Sequence, residues 1–178
     1  GILNVSTSDG FAGRWLVPRL NRFHRAHPDI DVRLSTSGAL IDFVRDGIDI
    51  AIRYGEGRYD KVTSELLMEE DVTPVCSPEL LQGEHPLRAL EDLRHHRLIH
   101  DNFRIGWSTW LQAAVLLGRS ALVLADLASG RLVRPFDLAL KSRWSYYVVY
   151  PEGGLRHRKV RAFRDGLVSE GIADHTSQ

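Results

Sequence analysis

Within its first 52 residues the chain passes twice through one local pattern, an alternating apolar strand, a turn of small hydroxylated residues and a helix, before a third strand closes the segment. Ile2 to Ser6 alternates apolar and polar residues, and Ser6-Thr7-Ser8-Asp9-Gly10 then supplies several side chains able to cap a helix start. A helix is expected over Phe11 to His27, with Trp15, Leu16, Leu20 and Phe23 as its apolar stripe, Pro18 bending it and Pro28 ending it. Ile30, Val32 and Leu34 alternate with Asp31 and Arg33 as a second strand. Ser35-Thr36-Ser37-Gly38 turns the chain into a short helix, Ala39 to Arg45, which Asp46-Gly47 closes before the third strand, Ile48 to Ile52. A β-α-β-α-β order restricts the topology severely, because parallel strands joined by helices require right-handed crossovers and bury both sheet faces. The segment is therefore an α/β lobe.

The rest of the chain reads as a second lobe and a return. Tyr54 to Asp60 is loop-like, and Val62 to Val75 is extended, with Pro74 demanding an edge or a kink. Short helical pieces follow near Pro78 to Leu81 and Ala89 to Leu93, then a strand at Leu98 to His100 and helices around Trp107 to Ala114 and Arg119 to Ala128. Strands near Leu132-Val133 and Ser145 to Tyr150 precede the turn Pro151 to Gly154. His157 to Glu170 is a final amphipathic helix with Val160, Phe163, Leu167 and Val168 on one face.

Composition narrows the function classes. Lys+Arg and Asp+Glu both number 23, so the 178 residues lack the basic excess of a domain that tracks phosphate backbones. The single cysteine, Cys76, sits in an apolar stretch and cannot form an internal disulfide, which fits a reducing cytoplasm. No apolar run approaches the roughly 18 residues of a membrane span, and no signal-peptide pattern opens the chain, so a soluble protein without a membrane partner is expected.

Chemistry should gather at the two polar turns. Both follow parallel strands and precede helices, so both emerge at the carboxyl edge of the sheet, where open α/β sheets bind ligands. Helix amino termini there could hold a carboxylate or phosphate, although Asp9 would oppose an anion and favour an amino-bearing ligand, and plain capping explains the same residues. Arg53, at the end of the third strand, could fork onto a ligand carboxylate or form a salt bridge. Catalytic patterns are weak: Gly118-Arg119-Ser120-Ala121-Leu122 lacks the second glycine of a nucleophile elbow, and Cys76 has no histidine partner that can be argued. His95, His96 and His100 invite a metal, but a strand at Leu98-Ile99 would break the helical spacing a metal pair needs. Trp107 and Trp110, with Phe103 nearby, have the helical spacing of core residues. No enzyme activity, metal or cofactor is expected.

Several segments resemble one family. Phe11-Ala12-Gly13-Arg14-Trp15-Leu16-Val17-Pro18-Arg19-Leu20, His27-Pro28-Asp29-Ile30 and Gly47-Ile48-Asp49-Ile50-Ala51-Ile52-Arg53-Tyr54-Gly55 look like a LysR-type transcriptional regulator, and Pro74-Val75-Cys76-Ser77-Pro78 and Gly130-Arg131-Leu132-Val133-Arg134-Pro135-Phe136 continue the likeness in order. The flavour is closest to the glycine-cleavage activator and beta-lactamase regulator group. The resemblance implies a type 2 periplasmic-binding-protein-like α/β fold, with two lobes, a cleft between them and crossing hinge strands. Residues 1–54 would form lobe I, 55–75 the crossover, 76–134 lobe II, and 135–178 the return with the C-terminal helix. It further implies a small-molecule inducer, a homodimer or homotetramer, and DNA contacted through an N-terminal winged helix-turn-helix not contained in this chain. A free-standing solute-binding protein of the same fold is the alternative. By the same resemblance the inducer contacts are Thr7, Ser8, Asp9, Gly10 and Phe11, then Ser35, Thr36 and Ser37, then Arg53 and Tyr54, with Asp42 and Tyr146 added from the beta-lactamase regulators. One departure stands out: between Ala114 and Val115 the family carries a further βα unit that this chain lacks.

Overall fold

The alternation in the first 55 residues becomes a sheet whose two faces have different fates. In a computed structural model, which describes residues 1–39, 41–99 and 117–176, the N-terminal segment comprises β1 (Ile2–Thr7), α1 (Asp9–Phe11), a π-helical turn at Ala12–Leu16, α2 (Val17–Ala26), β2 (Asp31–Thr36) and β3 (Ile50–Gly55). There follow β4 (Val62–Met68), β5 (Asp71–Pro74), 3-10 turns at Pro78–Leu81 and Leu90–His95, β6 (Leu117–Arg119), α3 (Ser120–Ala128), β7 (Leu140–Lys141), β8 (Ser145–Pro151) and α4 (Arg158–Thr176). The chain divides into two compact units, one of residues 1–69 and 143–178, the other of residues 70–142.

Unit 1 is a five-stranded sheet of order β2-β1-β3-β8-β4. β1 is parallel to both β2 and β3, as the β-α-β-α-β reading requires, and β8 runs antiparallel between β3 and β4. The register Val5↔Ile50 and Tyr54↔Tyr146 places Leu3, Val5, Ile50, Ile52, Tyr54, Tyr146 and Val148 on one face, since side chains alternate along each strand. The helices cover this face: Phe11, Trp15, Leu16, Val160, Phe163 and Leu167 are buried with it. Asn4, Ser6, Ala51, Arg53, Tyr147 and Val149 point to the other face.

One feature departs from the sequence reading and another refines it. The helical run is continuous from Asp9 to Ala26 with Pro18 inside it, and the turn before the proline is π-helical, the Val17 N–H reaching back to the Ala12 carbonyl, which is how the ladder accommodates the missing Pro18 N–H. The helix expected over Ala39 to Arg45 is absent among the described residues. Asp42 explains why: its carboxylate accepts the amide N–H groups of Val44 and Arg45 at 3.1 and 3.0 Å, while Asp46 accepts the N–H of Asp42 at 3.0 Å. These side-chain bonds supply a turn as an alternative to the helical ladder, and Gly47 at φ +63° ends it. Val44 is left 90% exposed, and among the described residues this segment supplies no helix to the second sheet face.

Unit 2 pairs β5 with β6 and β7 in a three-stranded antiparallel sheet. Cys76, Leu87 and Leu93 form its small core, with Leu80, Val133 and Phe136 packed against them, and Cys76 bridges to Val133. The extended stretch expected from Val62 to Val75 is broken at Glu69-Glu70 into β4 and β5, which belong to different units. Ile99 is a single bridge position rather than part of a described strand. His100, Phe103, the helix expected at Trp107 to Ala114 with Trp110, and the departure between Ala114 and Val115 lie outside the described residues.

Candidate ligand site of unit 1

Strand alternation sorts the sequence-derived site residues into groups. Thr7 ends β1 opposite Thr36, which ends β2, and both fall on the helix-covered face with Tyr54 and Tyr146. Phe11 follows from α1, its ring 4.4 Å from that of Tyr146, which in turn lies 5.0 Å from Tyr54. Tyr54 also meets Trp144 edge-on at 5.6 Å. An aromatic cluster therefore stands beside Thr7 at the carboxyl end of the parallel strands, where α/β sheets bind ligands.

Thr7 is fully buried, yet its Oγ1 has no hydrogen-bond partner. An unsatisfied buried hydroxyl costs about 1–3 kcal/mol, so native structures seldom keep one without a reason. Capping is not that reason. Ser8 occupies the N-cap position of α1 with no side-chain cap bond, and Asp9 and Gly10 are exposed in the first turn. The main chain at this edge is tied by the bond from the Ser37 N–H to the Thr7 carbonyl at 2.9 Å, which holds the two polar turns side by side.

The remaining residues are placed differently. Ser35 is exposed, and Ser37 closes its own turn by accepting the Ala39 N–H at 3.1 Å, so here capping does explain the hydroxyl. Asp42 is exposed and committed to the turn that replaces the helix. Arg53 points away from the aromatic cluster, onto the opposite face, where it donates to the Ser37 carbonyl at 2.7 Å and to Ser6 Oγ at 3.1 Å. Burial pushes its guanidinium below the usual arginine range, with Tyr59 opposing that shift.

Sequence reasoning missed the loop that follows β3. A pocket of 490 Å³ in unit 1 is lined by Arg53, Arg58, Tyr59, Ile41, Val62 and Val149 among others, and Arg58 and Tyr59 lie in the stretch whose sequence is loop-like. The alternation Arg53-Tyr54 and Arg58-Tyr59 was the available signal. It missed Glu70 as well, whose carboxylate is buried in unit 2 and accepts Ser120 Oγ and the Ala121 N–H at the start of α3. Among the described residues no group of three or more His, Cys, Asp or Glu side chains is placed to hold a metal. His95 stacks on His85 at 4.4 Å, and a ring nitrogen of His96 lies 2.8 Å from the His85 carbonyl.

Comparison with known proteins gives a consistent result. The family described as LysR substrate binding domain matches residues 1–123. The glycine cleavage system transcriptional activator of Escherichia coli (strain K12) is 36% identical over 98% of this chain and 66% of its own length. That alignment runs over 202 positions, more than the 178 residues here, so the relative carries residues without a counterpart in this chain. The HTH-type transcriptional activator AmpR of Citrobacter koseri is 30% identical over 94% of the chain and 66% of its own length. Among solved structures, the effector domain of AmpR of Pseudomonas aeruginosa superposes with a TM-score of 0.81 at 27% identity, covering 99% of this chain and 98% of that one.

Proposed function

Because this chain belongs to the LysR substrate-binding domain family, with the periplasmic-binding-protein-like α/β fold of its structural neighbours, we propose that it senses a small-molecule effector for a transcriptional regulator whose DNA-reading segment lies outside these 178 residues. The chain spans 66% of the length of the curated relatives cited above, and both are named as transcriptional activators. Of the two readings the sequence offered, the regulatory one is therefore adopted over the free-standing binding protein. Among the described residues no helix is long and apolar enough to cross a membrane.

One observation carries the location of the effector site: the buried, partnerless Oγ1 of Thr7 beside the ring cluster of Phe11, Tyr54 and Tyr146. An effector with a polar group to meet that hydroxyl and a flat or apolar body to lie on the rings would satisfy both. Ser8, Thr36 and the exposed first turn at Asp9 and Gly10 border the same strand edge and would set its orientation. Binding would act by favouring one arrangement of a homodimer or homotetramer over another, since a ligand shifts an equilibrium only through its differential affinity for two states. No chemical step is needed for this role, and no enzymatic one is proposed.

Thr7→Val tests the assignment in two directions at once. The substitution removes the orphan hydroxyl while keeping the shape, so the melting temperature of the chain should rise or hold, by up to about 1 kcal/mol of stability. Binding of an effector found by calorimetry against a metabolite panel should weaken about tenfold, the loss of roughly one hydrogen bond. A variant that is destabilised, or that binds the effector as tightly as the parent, would remove Thr7 from the site.

A further inference from the structure

The face of the unit 1 sheet that carries Arg53 and Val149 borders the 490 Å³ pocket, and the groups around it are not those of a hole left by poor packing. Arg53 reaches into its lining half-buried and makes two hydrogen bonds, both to neutral oxygens, the Ser37 carbonyl and Ser6 Oγ. A guanidinium carries five N–H donors, and the others have no acceptor among the described residues. No carboxylate lies within ion-pair distance of it among those residues either. Burying a cation is costly unless it is paired, and burial has already moved this one below the ordinary arginine range.

Around this cation the lining has two characters. Arg58 adds a second positive group with no ion pair among the described residues, and Asp60 is the one acid in the lining, leaving a net positive charge. Tyr59 stands close enough to Arg53 to influence it, and its hydroxyl lies against Gly55, where an added Cβ would come within 2.8 Å of the oxygen. The opposite wall is apolar: Ile41, Phe43, Val62 and Val149. A pocket of a few hundred cubic ångströms with one convergent charged end and an apolar body is the usual build of a small-molecule site.

We propose that this pocket is a second ligand site, for a small monocarboxylate with an aromatic or branched apolar body, whose carboxylate pairs with Arg53 and whose body lies on Val62 and Val149. It is centred away from the Thr7 hydroxyl, because Arg53 and Val149 occupy the sheet face opposite Thr7 and Tyr146, with Tyr54 at the strand end bordering both. The bond from Arg53 to the Ser37 carbonyl joins the pocket to the second polar turn, so occupancy would fix the position of that turn beside Thr7.

Phenylacetate and its neutral isostere phenylacetamide are suitable probes, observed through methyl NMR signals of the labelled 178-residue chain up to about 10 mM, a concentration that saturates a site with Kd near 1 mM. Phenylacetate should shift the methyl signals of Ile41, Val62 and Val149 and leave those of Thr7 and Val148, on the other face, in place. Phenylacetamide should bind at least about tenfold more weakly, as should phenylacetate to Arg53→Gln. Equal binding of acid and amide, undiminished binding to Arg53→Gln, shifts centred on Thr7 and Val148, or no shift at the highest concentration would each overturn the proposal. The acid and amide comparison uses the unmodified chain, so it decides the matter even where Arg53→Gln does not fold.

Discussion

Glu70 is 1% exposed, and its carboxylate spends one oxygen on Ser120 and the Ala121 N–H while the other finds no partner. Burial raises its pKa, the bonds from Ser120 and Ala121 opposing that effect only in part. A carboxyl whose folded pKa lies above its unfolded value contributes stability below the unfolded pKa and loses it as pH rises through the folded one. Glu70→Gln keeps an acceptor for the Ala121 N–H and removes the charge. Urea unfolding followed in unit 2 should therefore show the variant more stable than the parent at pH 7, with the difference shrinking as the pH falls toward 4; a constant difference would mean that the carboxylate is not held against ionisation. A second residue prediction concerns Asp174. It accepts Trp15 Nε1 at 2.7 Å and both oxygens take Arg19 at 2.8 Å, while Arg19 lies 4.5 Å over the Trp15 ring. Asp174→Ala strands a buried indole N–H and takes one carboxylate from Arg19, which keeps Glu170 and the Trp15 carbonyl, and should cost about 1–3 kcal/mol in chemical denaturation. Neither carboxylate was legible in the sequence, because both act on partners 50 to 159 positions away.

At the scale of elements, strands and long helices were legible and the short helix was not. β1, β2 and β3 carry a period-2 pattern that no other structure satisfies, and α4 repeats its apolar face over several turns. The segment from Ala39 to Arg45 had a plausible pattern, but it is short enough for three acid-to-amide bonds around Asp42 and Asp46 to win over one turn of helix. The connection from β3 to β4, which passes β8 lying between them, depends on Gly57, at φ +77°, where an added Cβ would lie 2.4 Å from the Tyr147 ring. Gly57→Ala should lower stability by more than about 1–2 kcal/mol, the ordinary penalty of a side chain in left-handed backbone, because the ring must move as well. Thermal melting checks this, and an unchanged melting temperature would show that the loop rearranges freely.

For the whole molecule, the decisive fact is that unit 1 is made from both ends of the chain, residues 1–69 and 143–178. β8 lies between β3 and β4, and α4 packs on β4 and α2, burying Val160, Phe163 and Leu167. Ending the chain after Pro151 should remove α4, expose that core and abolish the cooperative transition of unit 1. Unit 2 keeps its own core around Cys76, so the thiol should stay slow toward a disulfide reagent, as its burial and raised pKa require. Rapid labelling of Cys76 in the truncated chain would show that the units do not hold their cores independently. Taken by itself, the sequence determined the α/β class, the parallel order of the first three strands and the carboxyl-edge location of the polar turns, because those follow from period and from the handedness of crossovers. Only the tertiary structure decided which face each side chain joins. Thr7, Tyr54 and Tyr146 gather on one side while the adjacent Arg53 is sent to the other, since neighbouring residues of a strand point oppositely and it is the packing of distant helices that decides which face they cover.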